Sequence, residues 1–349
     1  MKDEGFSIGE RWIGSESPAL IVAEIGQAHD GSLGTAHSYI DAVADAGADA
    51  VKFQTHIANE ESTLDEPFRV KFSFQDNTRY DYWKRMEFTE DQWKDLSKHA
   101  KDRNLIFLSS PFSVKAVNIL RDIGMQAWKI GSGEVKSDDI LGAMAENGAP
   151  IILSTGMSGF DEIEDCVKRI RERGLQFALL QCTSSYPTAL DQVGLNVIGE
   201  LRSRFNCPIG LSDHSGTLFP GLAAMVKGID ILEVHVIFDR GSFGPDVPAS
   251  ITVDDLVVLV NARDAFHVMA VNPVDKDEMA ENMSQMKSMF SKSVAPAMAM
   301  PAGTILQFEM LTLKKPGTGI PASDMENIIG RRLIRDVDPR KLLIWEDLE

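Results

Sequence analysis

Residues 151–182 read IILSTGMSGFDEIEDCVKRIRERGLQFALLQC, and this stretch sets the expectation for the whole fold. It begins with a continuous apolar run, IILST at 151–155, and ends with another, FALLQC at 177–182. Between them, residues 160–173 carry apolar side chains at helical spacing. Continuous apolar runs separated by a helix are typical of parallel strands buried on both faces of a sheet. The stretch therefore predicts a strand–helix–strand unit with parallel strands.

The same alternation recurs along most of the chain. Eight apolar runs predict strands at 20–24, 50–54, 105–109, 127–132, 151–155, 177–182, 209–213 and 231–236. Helical spacing predicts helices at 33–47, 90–103, 113–123, 160–173, 217–228 and near 252–268. Eight such units close into a (β/α)8 TIM barrel, so the predicted fold class is α/β with this barrel. Periodicity alone also permits a doubly wound open sheet.

The chain is longer than a barrel requires. Its 349 residues exceed the roughly 250 of a typical barrel, which leaves room for a second, small domain. We assign residues 1–270 to the barrel and residues 271–292, which are polar and methionine-rich with no strand signal, to a linker. Residues 293–349 are rich in short turns and predict a small β-rich module. Residues 55–88 interrupt the alternation and predict a long loop over the catalytic face.

The composition excludes several classes of partner. The formal net charge of −17 repels phosphate backbones and anionic lipids at long range, so neither nucleic acid nor a membrane is predicted as a partner. Three scattered cysteines form neither a disulfide framework nor a CxxC zinc pattern. The N-terminus lacks the apolar stretch of a signal peptide, and no apolar run approaches the ~20 residues of a membrane span. We therefore expect a cytoplasmic protein.

Reactive side chains follow nearly every predicted strand. They are Glu24, Lys52, Gln54, Ser109, Ser110, Lys129, Ser132, Glu134, Ser154, Thr155, Gln181, Thr183, Ser212, Asp213, His214, Glu233 and His235. In a barrel the carboxyl ends of the strands meet on one face, and catalysis takes place there. Serines and threonines are expected wherever a strand gives way to a loop. Lysines, glutamates and histidines are not expected beside apolar runs, because burying an unpaired charge is costly.

Two histidines, His214 and His235, end the last two predicted strands. A single buried histidine usually belongs to the core, and that interpretation remains open here. Two at matched positions also suit a shared metal ion, with Asp213, Glu24 or water completing a shell of nitrogen and oxygen ligands. Because no cysteine lies at these strand ends, a divalent cation open to substrate oxygen is favoured over structural zinc.

Two lysines, Lys52 and Lys129, lie within apolar strand sequences (VKFQ and WKIGSGE). A lysine in this setting either forms a Schiff base or binds an anion. The turns at 131–133 (GSG) and 154–156 (STG) offer backbone N–H groups and hydroxyls beside Lys129. This combination predicts a cradle for phosphate and carboxylate groups.

Taken together, these residues resemble the N-acetylneuraminate (sialic acid) synthase family. The resemblance is carried by AEIGQAHDGS (23–32), DAVKFQTH (49–56), FLSSPF (107–112), WKIGSGE (128–134), ILSTGM (152–157), QCTSSYPT (181–188), GLSDH (210–214), ILEVH (231–235) and GPD (244–246). The later segment LKKPGTGI (313–320) resembles the family's SAF, or antifreeze-like, module of the β-clip type. The segments occur in the family's order over nearly the whole chain.

The resemblance implies specific roles. The catalytic residues would be Glu24, Glu134, Lys52 and Lys129, with the two glutamates as acid/base candidates. The metal ligands would be His214 and His235, holding a divalent cation such as Mn²⁺ or Mg²⁺. Phosphoenolpyruvate would contact Lys52, Ser110, Lys129, Ser132, Ser154, Ser184 and Ser212. The amino sugar would contact Gln54, Tyr186 and Asp246, and Lys315 of the SAF module would cap a partner's active site in a domain-swapped homodimer.

Three departures from the family pattern bear on the substrate. Ser184 stands where the family often has Asn, Lys315 where it typically has Arg, and Val247-Pro248 where His-Lys is common. The last two concern the sugar end, so they leave the acceptor open between N-acetylmannosamine and a diamino sugar of the legionaminic or pseudaminic type. The expected reaction is condensation of phosphoenolpyruvate with this sugar to a nonulosonic acid, with release of phosphate. A Schiff-base class I aldolase and a non-catalytic carbohydrate-binding protein are the alternatives.

Overall fold

The computed structural model describes residues 5–349, which divide into two compact units. The first unit ends at Val271, and the second runs from Asn272 to Glu349. In the described part of the chain, no helix is both long and apolar enough to cross a membrane.

The first unit opens with an antiparallel hairpin of strands β1 (Phe6–Ile8) and β2 (Arg11–Ile13). Phe6, Ile8 and Ile13 are buried in the same apolar core as the strands that follow. The turn residue Gly9 has a φ of +58°, and a Cβ there would lie 3.1 Å from Nε2 of Gln126. The hairpin therefore lies at the amino-terminal end of the barrel. Six residues separate it from the first barrel strand, and its turn reaches Gln126, two residues before another strand.

Eight parallel strands form the barrel wall. They are β3 (Leu20–Gly26), β4 (Ala50–Thr55), β5 (Ile106–Pro111), β6 (Trp128–Ile130), β7 (Ile151–Ser154), β8 (Phe177–Cys182), β9 (Ile209–Asp213) and β10 (Ile231–Ile237). Hydrogen bonds link them in the order β5-β4-β3-β10-β9-β8-β7-β6, and a short strand β11 (Ile251–Thr252) adds to β10. The two ends of this path, β5 and β6, lie beside each other and nearly close the ring. The predicted TIM barrel is confirmed, and the open-sheet alternative is wrong.

The α-helices of the first unit lie between its strands, and most of them cover the outside of the barrel. They are α1 (Leu33–Asp45), α2 (Ala58–Glu61), α3 (Arg79–Met86), α4 (Glu90–Asp102), α5 (Val114–Ile123), α6 (Asp138–Ala145), α7 (Phe160–Glu172), α8 (Leu195–Phe205), α9 (Phe219–Val226) and α10 (Val253–Val271). Helix α4 shows why they form: Thr89 and Gln92 cap its first turn reciprocally, which satisfies two backbone N–H groups. Its residues Trp93, Leu96 and Ala100 recur at helical spacing and are buried.

Residues 55–88 form an ordered flap above the carboxyl ends of the strands. Helices α2 and α3 lie within it, and Ala58, Tyr82, Trp83 and Met86 build a separate small core. Several flap side chains line the cavity described below, as the sequence predicted for this loop.

The second unit has its own apolar core. Helices α11 (Lys276–Asn282) and α12 (Ser284–Phe290) occupy most of the predicted linker and precede an antiparallel pair, β12 (Ser293–Pro296) and β13 (Leu311–Lys314). The core side chains include Val294, Leu306, Ile320, Ile328, Leu333 and Leu343. After residue 292 the short turns expected from the sequence are present, and the β-structure consists of this pair and of isolated antiparallel bridges such as Met300–Val337.

Candidate active site

A cavity of about 450 Å³ opens at the carboxyl ends of the barrel strands. Thirteen of the fifteen predicted site residues line it: Lys52, Gln54, Ser110, Lys129, Ser132, Glu134, Ser154, Ser184, Tyr186, Ser212, His214, His235 and Asp246. Glu24 lies buried behind this lining, in contact with Lys52 and Gln54. Lys315 belongs to the second unit, where its Nζ lies 5.1 Å from the ring centre of Phe290.

Four buried charges form the floor of the cavity. Lys52 pairs closely with Glu24, its neighbour across the β3–β4 ladder. The carboxylate of Glu233 lies 3.8 Å from Nζ of Lys52 and 3.3 Å from Nζ of Lys129, and it accepts a hydrogen bond from the hydroxyl of Ser212 at 3.2 Å. Glu233 thus links both lysines. The sequence marked it as a charged residue in an apolar strand but gave it no role.

The four charges have different pKa values because each has different neighbours. Burial would raise the pKa of Glu233, but Lys129 and Lys52 outweigh it and lower that pKa to about 2. Burial raises the pKa of Glu24 to about 7; the charge of Glu233 adds to this, and Lys52 opposes it. Burial would lower the pKa of Lys52, but the negative charges of Glu233 and Glu24 outweigh burial and raise that pKa. At Lys129 burial has the larger effect, so the pKa of Lys129 is lowered. Glu24 is therefore the floor carboxyl suited to exchanging a proton near neutral pH.

Hydroxyl groups extend the floor beside Lys129. Its ammonium donates to the Ser154 hydroxyl at 2.8 Å, and the backbone N–H of Gly156 donates to Ser132 Oγ at 3.0 Å. A Cβ at Gly156 would lie 2.5 Å from Ser184 Oγ and 3.0 Å from Ser132 Oγ, so only glycine fits between these two hydroxyls. Ammonium and hydroxyl groups thus lie together on one wall of the cavity, where they can donate hydrogen bonds to a bound oxyanion.

The two candidate metal ligands face each other on the neighbouring strands β9 and β10. The ring centres of His214 and His235 are 5.2 Å apart. His214 Nδ1 lies 2.9 Å from the carbonyl oxygen of Thr183, which can only accept, so Nδ1 carries the hydrogen and Nε2 keeps a free lone pair. Burial lowers the pKa of both imidazoles to about 3, which leaves both rings neutral, as metal ligands must be.

These two residues fit a divalent cation as a two-histidine pair. A carbonyl that fixes the ring of a ligating histidine, as Thr183 does here, is typical of metal sites. Within residues 5–349, no cluster of three histidine, cysteine or acidic side chains is arranged to hold an ion. The remaining ligands of any ion at this pair would therefore be substrate oxygens or water.

The mouth of the cavity carries the candidate sugar contacts. Arg69 of the flap donates to the Asp246 carboxylate at 2.7 Å, and its guanidinium lies 4.1 Å from the ring centre of Tyr186. Tyr186 in turn packs against His214, with ring centres 4.1 Å apart. The sequence did not indicate Arg69, because a loop residue carries no periodic signal that would place it against two distant segments.

Glu134, the second acid/base candidate, lies in a short 3-10 turn after β6. It lines the cavity, and its Oε2 accepts a hydrogen bond from Ser137 Oγ at 2.5 Å. It is less buried than Glu24, which is 1% exposed. The structure therefore brings both candidates to the same face but gives only Glu24 direct contact with a floor lysine.

Comparison with known proteins gives two family matches. Residues 39–274 match the NeuB family, and residues 291–349 match the SAF domain. The human N-acetylneuraminate-9-phosphate synthase is 31% identical, with 96% of this chain and 94% of that protein covered. The N,N'-diacetyllegionaminic acid synthase of Legionella pneumophila is 33% identical, with 96% of each chain covered.

The fold has solved counterparts as well. The crystal structure of N-acetylneuraminic acid (sialic acid) synthetase from Leptospira borgpetersenii, in complex with citrate, is 30% identical and superimposes with a TM-score of 0.72. The match covers 82% of this chain and 97% of that one.

Proposed function

Because the chain belongs to the NeuB family and ends in a SAF domain, we propose that it condenses phosphoenolpyruvate with an N-acetylmannosamine-type amino sugar, forming a nonulosonic acid and releasing phosphate. The observation that carries this proposal is the pair of buried lysines, Lys52 and Lys129, beside hydroxyl groups on the floor of a cavity. Its volume of about 450 Å³ falls within the roughly 300–1,000 Å³ of small-molecule sites. Relatives named as synthases of sialic and legionaminic acids support the same product class.

In the proposed reaction, the lysines hold the phosphate and carboxylate of phosphoenolpyruvate, so that its carbon 3 faces the aldehyde of the open-chain sugar. Carbon 3 attacks the aldehyde carbon, the aldehyde oxygen takes up a proton, and carbon 2 becomes an oxocarbenium ion. Water adds to carbon 2 and transfers its proton to a carboxylate. The bond between carbon 2 and the phosphate oxygen then breaks while the new hydroxyl on carbon 2 gives its proton to the departing phosphate, which leaves the keto acid.

The proton acceptor in this scheme is Glu24, with Glu134 as the alternative. The pKa of Glu24, about 7, lies near the operating pH, where a general base is most effective. We further propose that His214 and His235 would hold Mn²⁺ or Mg²⁺, which would supply Lewis-acid chemistry for the aldehyde oxygen of the sugar. Tyr186 and Asp246 at the mouth would orient the sugar.

The proposal is tested by measuring phosphate release from phosphoenolpyruvate with a panel of hexosamine acceptors, with mass spectrometry of the product. We expect acceptor-dependent release for at least one N-acylated hexosamine and none with phosphoenolpyruvate alone. The lowered pKa of Lys129 is the one observation that favours a Schiff-base aldolase, so borohydride is added to a parallel reaction. A covalent adduct on Lys129 without phosphate release would contradict the synthase proposal.

A second prediction concerns the lysines. Lys52→Ala and Lys129→Ala should each raise the KM for phosphoenolpyruvate by roughly ten- to a hundred-fold, because a charge-assisted contact is lost. The KM for the sugar should change less. The exposed lysine of α4, Lys98, provides the control, since Lys98→Ala removes a cation outside the cavity. Wild-type kinetics toward phosphoenolpyruvate in both cavity variants would contradict the assignment of this floor.

A third prediction concerns assembly. We propose a domain-swapped homodimer in which a module at 293–349, after a linker at 271–292, brings Lys315 to the partner's cavity. Its small size and the family resemblance support this arrangement. Mixing a variant that lacks the module with a His235→Ala variant should restore part of the activity, since a mixed dimer pairs an intact barrel with an intact module. Mixed dimers that form but stay inactive would rule out the swap.

A further inference from the structure

His56, which the proposed chemistry does not use, is held rigidly beside the site. It follows β4 directly, two residues beyond Gln54, and is 4% exposed. Its ring lies between Trp83 of the flap, 3.9 Å away at an interplanar angle of 15°, and Phe112, 4.4 Å away at 7°. Two parallel aromatic faces fix the plane of the imidazole, so that only its edge is left for hydrogen bonding.

Both nitrogens on that edge have oxygen partners. His56 Nδ1 lies 2.5 Å from Oε1 of Glu61, and Nε2 lies 3.2 Å from Oε1 of Gln54. Glu61 is itself anchored, because its Oε2 accepts from the backbone N–H of Ile57 at 3.3 Å. An amide oxygen can only accept a hydrogen bond, so Nε2 carries the hydrogen of this contact and donates it to Gln54.

The remaining contacts of Gln54 fix what this side chain can offer a substrate. Its oxygen also accepts from Nε2 of Gln27 at 3.1 Å, and its own Nε2 donates to Oε1 of Glu24 at 3.0 Å. An amide oxygen accepts two hydrogen bonds and an amide nitrogen donates two. The oxygen of Gln54 is thus fully used, while one N–H remains in a residue that lines the cavity.

We propose that His56 is a positioning residue, which orients the Gln54 amide so that it donates a hydrogen bond to an oxygen atom of the amino-sugar acceptor. This inference rests on the proposed function and makes its acceptor site more specific. Without the His56 donor, the oxygen of Gln54 keeps one partner instead of two, and the orientation of the amide is no longer fixed. Glu24 keeps its pairing with Lys52 in either orientation of the amide, so we expect phosphoenolpyruvate binding at the lysines to change little.

Two substitutions separate this role from a structural one. His56→Gln places an amide nitrogen near the position of Nε2 and keeps a donor toward Gln54. His56→Asn places one near Nδ1 and keeps the contact with Glu61 but loses that donor. Both variants lose the aromatic stacking equally. We expect His56→Asn to raise the KM for the sugar about five- to ten-fold and His56→Gln to raise it less than about two-fold.

The KM for phosphoenolpyruvate should stay within about two-fold of wild type in both variants. Equal sugar KM values in the two variants, or a parallel rise for phosphoenolpyruvate, would overturn the inference. A measurement without turnover accompanies this one: long-range ¹H–¹⁵N spectra of ¹⁵N-histidine-labelled protein, with His56 assigned from the His56→Asn variant. We expect a protonated Nε2, and an unprotonated Nε2 would also overturn the inference.

Absence of turnover by wild-type protein with every acceptor would contradict the proposed function alone. In that case the positioning role of His56 is tested by calorimetry, which measures the affinity of the same amino sugars for wild type and for the two variants. Weaker binding to His56→Asn than to His56→Gln supports the inference, whereas equal binding, or no binding to any of the three proteins, overturns it.

Discussion

Replacing His235 with alanine is expected to abolish turnover while the barrel stays folded. The imidazole supplies one of two protein ligands for the proposed divalent ion, so its loss should weaken binding of the ion strongly. Its ring is neutral and packs against His214 and Tyr186, so the substitution leaves no unpaired charge in the core. Phosphate release should fall below detection, whereas the circular dichroism spectrum should match wild type.

His267→Ala serves as the matched control, because His267 is a partly exposed residue of the outer helix α10. This variant should retain activity. Chelation of the wild-type protein should remove activity reversibly, and calorimetry should detect Mn²⁺ binding to wild type but not to the His235→Ala variant. Full activity of metal-free protein would show that the ion has no part in the reaction.

Glu233→Gln is expected to combine lower stability with slower turnover. The substitution keeps the shape of the side chain but removes the negative charge that both floor lysines face, at 3.3 Å for Lys129 and 3.8 Å for Lys52. Removing one partner of a buried ion pair typically costs about 3–5 kcal/mol, because the other charge stays buried without compensation. For a chain of this size we expect Tm to fall by roughly 4–7 °C.

The kinetic signature of Glu233→Gln should differ from that of the lysine variants. kcat should fall more than about ten-fold, because the carboxylate holds both ammonium groups in place. The KM for phosphoenolpyruvate should not rise in parallel, since the floor becomes more positive. Glu146→Gln is the control: it removes the same charge from an exposed pair with Arg121, which contributes little to stability. Equal Tm values for the two variants would contradict the role given to Glu233.

The sequence predicted the barrel because its signals are local. Each strand is an apolar run of a few residues, and every predicted bound lies within two residues of the observed one, as with IILST at 151–155 against Ile151–Ser154. One of the two-residue deviations illustrates the limit. The predicted strand 127–132 ends at Ile130, since Ser132–Glu134 turn into a 3-10 helix that local propensity does not distinguish from a strand end.

Residues of the candidate site were predictable only where a reactive side chain stood at the end of a predicted strand. Lys52, Lys129, His214 and His235 were found in this way, and the cavity contains all four. Glu233 shares that signal, but its role depends on two lysines of other strands, which only barrel closure brings within 4 Å. The role proposed for His56 was still harder to predict. It depends on Glu61, five residues later in the chain, and on two aromatic rings from separate segments.

The hairpin at the start of the chain has a consequence for kinetic order. The hairpin packs against the core at the amino-terminal end of the barrel, whereas the cavity lies at the carboxyl ends of the strands and is lined there by residues of the flap. In the proposed reaction, phosphoenolpyruvate lies deep at the lysines and the sugar lies nearer the entrance, so the sugar blocks the way to the floor once it is bound. We therefore expect the deep substrate to bind first. Phosphate, formed at the same depth, leaves last and should inhibit competitively against phosphoenolpyruvate.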